Sequence, residues 1–202
     1  MARPKASPEQ RAEVRRSIQQ AAVELYRAEG LGGVSARAVA TKAGVSVGTI
    51  YSYFGDLKGL GQSLWEPQIA RLEDELRAVA AQHDKPLDRI EALLRAYLDF
   101  GIDQAELYRN ALMFVRPSTL KTPEKQSLSG FAFPALLKSA LEQGQADGSI
   151  ANGDPVVLAQ VLWSGVHGAL ALPVNMDRVA LQPTEKLASV MVQRLMRSVR
   201  VG

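Results

Sequence analysis

Apolar residues recur along most of this chain at three- and four-residue spacing, the period of a helix with one buried face. The first run opens at Ser7-Pro8. Ser7 is placed to cap the helix, Pro8 takes the first helical position and Gln10 takes the reciprocal capping position. Val14, Ile18, Ala21, Ala22 and Leu25 form the apolar face, and Gly30 supplies the stop. Two short runs follow. One opens at Ser35, with Val34 and Val39 spaced as a hydrophobic staple, and closes at Gly44. The next opens at Ser46, with Val45 and Ile50 in the same relation, and places Val47, Ile50 and Phe54 inward. Two capped helices separated only by Gly44-Val45 predict a helix-turn-helix, whose second helix enters the major groove of DNA.

A fourth helix is predicted from about Asp56, carrying Leu57, Leu60, Leu64 and Trp65, with Gly59 and Gly61 softening its first turns and Pro67 interrupting it. Further helices are predicted over Arg71–Gln82, from Pro86 or Asp88 through Phe100, over Glu106–Val115 and over Phe131–Gln143, the last closed by a turn at Gly144–Gly148. Between them, Pro117–Ser129 is the longest stretch of low hydrophobicity and reads as a mobile loop. Asp154-Pro155 starts a helix through Leu170 that is apolar on nearly all sides, predicting burial all round, with Pro173 as its stop. A last helix from about Thr184 lines up Leu187, Val190, Met191, Arg194, Leu195 and Ser198, and with its predecessor offers a four-helix interface to a two-fold partner. The fold class is all-α, about nine helices in total. An N-terminal three-helix helix-turn-helix domain occupies 7–55 and a larger helical domain 56–202.

Composition narrows the function. The 202 residues are 47% hydrophobic and 22% charged, ordinary for a soluble globular protein. No run of about 18 apolar residues suggests a membrane span, and the opening MARPKASPEQ lacks the apolar core of a secretory signal. The absence of cysteine excludes disulfide and thiolate chemistry and agrees with a cytoplasmic location. Net charge is +3, but residues 1–60 hold nine Lys/Arg against five Asp/Glu, whereas residues 61–202 hold fifteen against sixteen. The basic excess lies in the segment with the helix-turn-helix, where nucleic acid would use it. Arg3 and Lys5 belong to a flexible arm at Met1–Ala6. Arg11, Arg15 and Arg16 lie off the apolar face of the first helix and read as solvated charge.

The second helix of the pair leaves Gly48, Thr49, Ser52 and Tyr53 facing more or less outward. Glycine there costs the helix about 1 kcal/mol relative to alanine, but it lets a phosphate or base edge approach closely. Tyr51 and Tyr53 offer phenolic donors to phosphates. The run Gly44-Val45-Ser46, Gly48-Thr49, Tyr51 and Phe54 resembles, position by position, the signature of TetR-family transcriptional regulators, and the likeness covers roughly residues 11–65. One departure stands out. Where the family usually carries a phosphate-contacting lysine three residues after the phenylalanine, this chain has Leu57, with Lys58 one place on. The resemblance implies an all-helical homodimer that binds a near-palindromic double-stranded DNA operator and is released by a small molecule. On that basis Ser35, Arg37, Ser46, Thr49, Tyr51, Tyr53 and Lys58 are expected to position the DNA backbone. Arg37, Val47, Gly48 and Thr49 are expected to read bases. Trp163-x-x-x-His167-Gly168, with the ELYRNALMF stretch, resembles the Trp-His-Gly subclass of C-terminal domains in that family.

No metal-ligand cluster, phosphate loop, dinucleotide fingerprint or nucleophile elbow is present in the sequence, so no enzyme and no cofactor are expected. Tyr97, Phe100, Tyr108, Met113, Phe114, Phe131, Phe133, Trp163 and His167 supply aromatic walls and a few polar groups, which is what an effector pocket between helices requires. The effector's identity is not legible. The expected function is a ligand-responsive regulator, most simply a repressor released by an apolar effector. The alternative is a helical small-molecule-binding module without sequence-specific DNA binding.

Overall fold

A computed structural model describes residues 7–29, 33–105, 108, 130–176 and 178–201, with the backbone alone for Trp65. The expected arm at Met1–Ala6, the stop at Gly30, most of the Glu106–Val115 helix and the Pro117–Ser129 loop lie outside those residues. So do Met113 and Phe114. Eight helices are delimited among the described residues: α1 Pro8–Glu29, α2 Ala36–Ala43, α3 Val47–Phe54, α4 Leu57–Ala81, α5 Pro86–Asp103, α6 Ala132–Ala146, α7 Pro155–Asn175 and α8 Thr184–Val199. The only β pairing among them is an isolated antiparallel bridge between Ile150 and Arg200. The chain divides after Ile69 into two compact units.

In the first unit the capping signals work as the sequence predicts. The Ser7 N–H donates to Gln10 Oε1 at 2.9 Å while the Gln10 N–H donates to Ser7 Oγ at 3.3 Å. Ile18, Ala21 and Ala22 of α1 bury against Val39 and Ala40 of α2, Ile50 and Phe54 of α3, and Leu60 of α4. Val34, Val45 and Val47 pack on the edge of this core, so both staples are formed.

Pro67 does not interrupt α4, which runs unbroken from Leu57 to Ala81. A proline inside a helix removes the N–H that would bond the carbonyl four residues earlier, here that of Ser63. Gln19 of α1 replaces it: its Nε2 donates to the Ser63 carbonyl at 2.9 Å and lies 3.0 Å from Ser63 Oγ. Ser63 is 2% exposed, and its hydroxyl donates in turn to the Leu60 carbonyl at 2.8 Å. A single side chain from another helix, that of Gln19, thus takes up the defect that the proline creates. Gly59 also has a reason beyond softness, because a Cβ there would sit 2.0 Å from the Phe54 carbonyl oxygen, whereas one at Gly61 meets nothing. Asp56 caps the helix, accepting from the Gly59 N–H at 2.6 Å.

The second unit buries Leu72, Leu76 and Ala80 of α4 in one core with Ile90, Leu93, Leu94, Tyr97 and Leu98 of α5, Leu137 and Leu141 of α6, Leu162 and Val166 of α7, and Val192 and Met196 of α8. Helices approach closely where side chains are missing: a Cβ on Gly101 would meet Leu170, and one on Gly165 would meet Leu195. Arg89 fastens the start of α5, donating to the His83 carbonyl at 2.8 Å and to Gln143 Oε1 at 2.7 Å. Asp154 accepts from the Val156 and Val157 N–H groups, with Pro155 at the first position of α7, as the sequence predicts.

Helix α7 departs from expectation twice. It continues two residues past Pro173, which removes only the N–H that would bond the Ala169 carbonyl. It is also not buried all round. Ala159, Leu162, Val166, Ala169 and Leu170 face the core, while Val157, Val161 and Leu172 are about half exposed at 53%, 49% and 46%. By length and composition α7 is, among the described residues, the one helix able to cross a membrane, but its inner face belongs to the core of the second unit. In α8 the core face is Ala188, Val192, Leu195, Met196 and Val199. Of the stripe expected from sequence only Leu195 is buried; Leu187 and Met191 are half-buried, and Val190, Arg194 and Ser198 are exposed.

Candidate nucleic-acid interface and aromatic cluster

The turn between α2 and α3 is held by backbone geometry. Gly44 adopts φ 67°, the left-handed region, and its N–H donates to the Thr41 carbonyl while that of Val45 donates to Ala40. Val45 then packs on the core and Ser46 caps α3 at once, so one valine closes one helix and opens the next. Ser35 Oγ accepts from the Ala38 N–H at 3.1 Å, and Ser46 Oγ accepts from the Thr49 N–H at 3.0 Å. Ser46 Oγ also lies 2.8 Å from Thr49 Oγ1, so these two hydroxyls are paired to each other.

Residues expected to meet DNA divide by exposure. Ser35, Arg37, Ser46, Gly48, Tyr51 and Lys58 are exposed, Tyr51 to 49%; Val47, Thr49 and Tyr53 are half-buried. A Cβ on Gly48 would meet only Ser46 Oγ, at an ordinary 3.6 Å. Leu57, in the place of the family's lysine, packs against the core of the first unit, while Lys58 faces solvent.

Tyr53 is less outward than its sequence position suggests. It packs against the core, and the Arg11 guanidinium lies 5.4 Å from its ring centroid. Arg15, expected to be solvated, lies 4.7 Å over the Phe54 ring and donates to the Tyr53 carbonyl at 3.3 Å. A cation at the carbonyl end of α3 is favourable with respect to the helix dipole. Neither arginine was recognisable as a partner of α3 in the sequence, because both act across tertiary contacts. Lys42 pairs with Glu24 at 3.0 Å, which holds the Glu24 carboxyl below its ordinary range.

In the second unit, five of the aromatic residues singled out by sequence meet. Tyr97 stacks on Phe133 with centroids 4.4 Å apart. Trp163 Nε1 donates to Tyr97 Oη at 3.2 Å, Tyr97 Oη lies 3.0 Å from His167 Nδ1, and Tyr108 Oη lies 2.6 Å from the same nitrogen. Tyr108 also donates to the His167 carbonyl at 3.2 Å. Burial pushes both phenols above their ordinary range and pulls the His167 imidazole below its own, so the cluster is uncharged at neutral pH. Phe131 is 45% exposed with its ring 6.5 Å from that of Trp163, and Phe100 packs half-buried on the core. Among the described residues no buried side-chain nitrogen or oxygen lacks a partner.

A capped helix-turn-helix seated on its own small core, followed by a separate all-helical unit, defines a DNA-binding transcription regulator. Residues 18–60 match the family of bacterial regulatory proteins described as the tetR family, and residues 90–195 match the Tetracyclin repressor-like C-terminal domain. The chain belongs to the TetR family, whose members are transcription regulators. A protein of unknown function from Rhodococcus sp. RHA1 has the same fold at 24% identity and TM-score 0.68, covering 93% of this chain and 96% of that one. So does the transcriptional regulator FadR from Bacillus subtilis in complex with stearoyl-CoA, at 19% identity and TM-score 0.70, covering 90% and 97%. A TetR family transcription regulator from Marinobacter aquaeolei VT8 shares it at 18% identity and TM-score 0.66, covering 96% and 100%. No curated protein matches the sequence.

Proposed function

We propose that this protein is a cytoplasmic transcriptional repressor that binds a near-palindromic operator as a homodimer and is released by a small apolar effector. The observation that carries the reading is the outward face of α3: a helix capped by Ser46 and packed on the core through Ile50 and Phe54 leaves Gly48, Tyr51 and Ser52 exposed among the described residues. Tyr51, Tyr53, Ser35, Ser46, Thr49, Arg37 and Lys58 position the phosphates, and Arg37, Val47, Gly48 and Thr49 read base edges. Because one of the Ser46 and Thr49 hydroxyls donates to the other, their contribution at a phosphate runs through the single hydroxyl proton that remains and the N-terminal N–H groups of α3.

The functional boundary falls between 55 and 56, with 7–55 as the DNA-reading head and 56–202 as the effector and dimerisation body. Dimerisation through α7 and α8 is supported by their outer faces, where Val157, Val161, Leu172 and Val190 remain exposed. The effector is assigned to the cluster of Tyr97, Tyr108, Phe133, Trp163 and His167, with Phe100 and Phe131 as further lining, in a body of the Trp-His-Gly subclass. An apolar effector group suits an uncharged aromatic site, and a protein of the same fold is described in complex with stearoyl-CoA, whose acyl chain is apolar although its coenzyme A part is charged. Release requires the effector to favour the non-binding conformation by several kcal/mol, about 5.5 for a full switch.

A gel shift with the DNA flanking its own gene tests this. Retardation that survives excess scrambled competitor is expected. A complete lack of retardation at low salt would leave the helical ligand-binding module, without sequence-specific DNA binding, as the better account.

A further inference from the structure

Helix α3 offers few polar groups that are both exposed and unengaged. Thr49 is half-buried and its hydroxyl pairs with Ser46. Tyr53 is held against the core under Arg11. Ile50 and Phe54 are buried. Gly48 and Ser52 remain, four residues apart and therefore on one face, with Tyr51 beside them. Packing does not require glycine at 48, since a Cβ would stand in ordinary contact with Ser46 Oγ and nothing else. Alanine there would strengthen the helix. The effect of glycine is to let the α3 backbone approach an external surface, and the side chain brought closest by that approach is Ser52, one turn further on the same face. A serine hydroxyl is too short to reach a base edge unless the backbone comes close, and here the residue one turn earlier has no side chain to prevent it.

We propose that Ser52 is a sequence-reading residue, its hydroxyl bonding a base edge in the major groove at one position of each half-site, with Gly48 admitting the backbone to that depth. The inference rests on the operator-binding reading above. A serine hydroxyl both donates and accepts, so it can pair with either kind of base-edge group.

The test selects binders from double-stranded DNA randomised over about two helical turns, the span of two half-sites, using the full-length wild type, Ser52→Ala and Ser52→Asn. Ser52 is exposed, so all three are expected to fold, which circular dichroism checks. Wild type is expected to enrich one symmetric sequence. Ser52→Ala should lose about five-fold of the preference at one position per half-site and keep the others, and Ser52→Asn should move that position towards adenine. Identical preferences at every position for wild type and Ser52→Ala would overturn the assignment while leaving operator binding intact. No enrichment by wild type would overturn both.

Discussion

Gln19 and His167 show how much of this molecule depends on single side chains working across tertiary contacts. Gln19 takes the carbonyl that Pro67 leaves free in α4. Gln19→Leu therefore strands a buried acceptor and is expected to cost about 1–3 kcal/mol of stability in urea unfolding. Pro67→Ala restores the intrahelical donor, so in a double-mutant cycle the Gln19→Leu penalty should shrink markedly on that background; equal penalties on both would refute the link. His167 is depressed in the folded state by burial. Its unfolded form binds the proton more readily, so stability rises with pH through this window. It is fully present above the ordinary histidine value of about 6.5 and is lost as pH falls below it. Thermal unfolding from about pH 7.5 down to pH 5 should show that loss, and His167→Gln should flatten it. Gln19 illustrates what was not legible in the sequence. Pro67 reads locally as a break, and the residue that repairs it lies 44 positions from the carbonyl it bonds.

Helical elements were legible where their signals are local. The caps at Ser7, Ser35, Ser46 and Asp154 each act within three residues, and all four form as read. Tyr53 is half-buried, and this was not legible, because periodicity places a residue on a helix face but does not show that the Arg11 guanidinium of α1 lies 5.4 Å from its ring centroid. The two glycines at the start of α4 look alike in sequence and differ in the structure. Gly59→Ala drives a methyl into the Phe54 carbonyl and is expected to destabilise by about 1–3 kcal/mol. Gly61→Ala meets open space and should stabilise by up to about 1 kcal/mol. Denaturant midpoints of the two variants test the pair, and matching shifts in one direction would contradict the steric account. Within α3, Gly48→Ala should be stability-neutral or mildly stabilising yet weaken operator binding, separating folding from recognition in one substitution.

For the whole molecule, the apolar character of α7 was legible but its partners were not, because hydropathy does not distinguish a core from an interface. The inner face packs within the second unit, and Val157, Val161 and Leu172 stay outside it, with Val190 of α8. If those outer faces pair in a dimer, Val161→Glu with Val190→Glu should yield a folded monomer in analytical ultracentrifugation, with operator affinity lowered by the loss of one half-site. A dimer of unchanged strength would place the interface elsewhere. In the proposed complex two copies of α3 read one operator. Hydroxyl-radical footprinting on the flanking DNA tests it most directly. Two symmetric protected patches centred about one turn apart, roughly 34–36 Å along the duplex, are the predicted result; a single asymmetric patch, or uniform protection without half-sites, would contradict it.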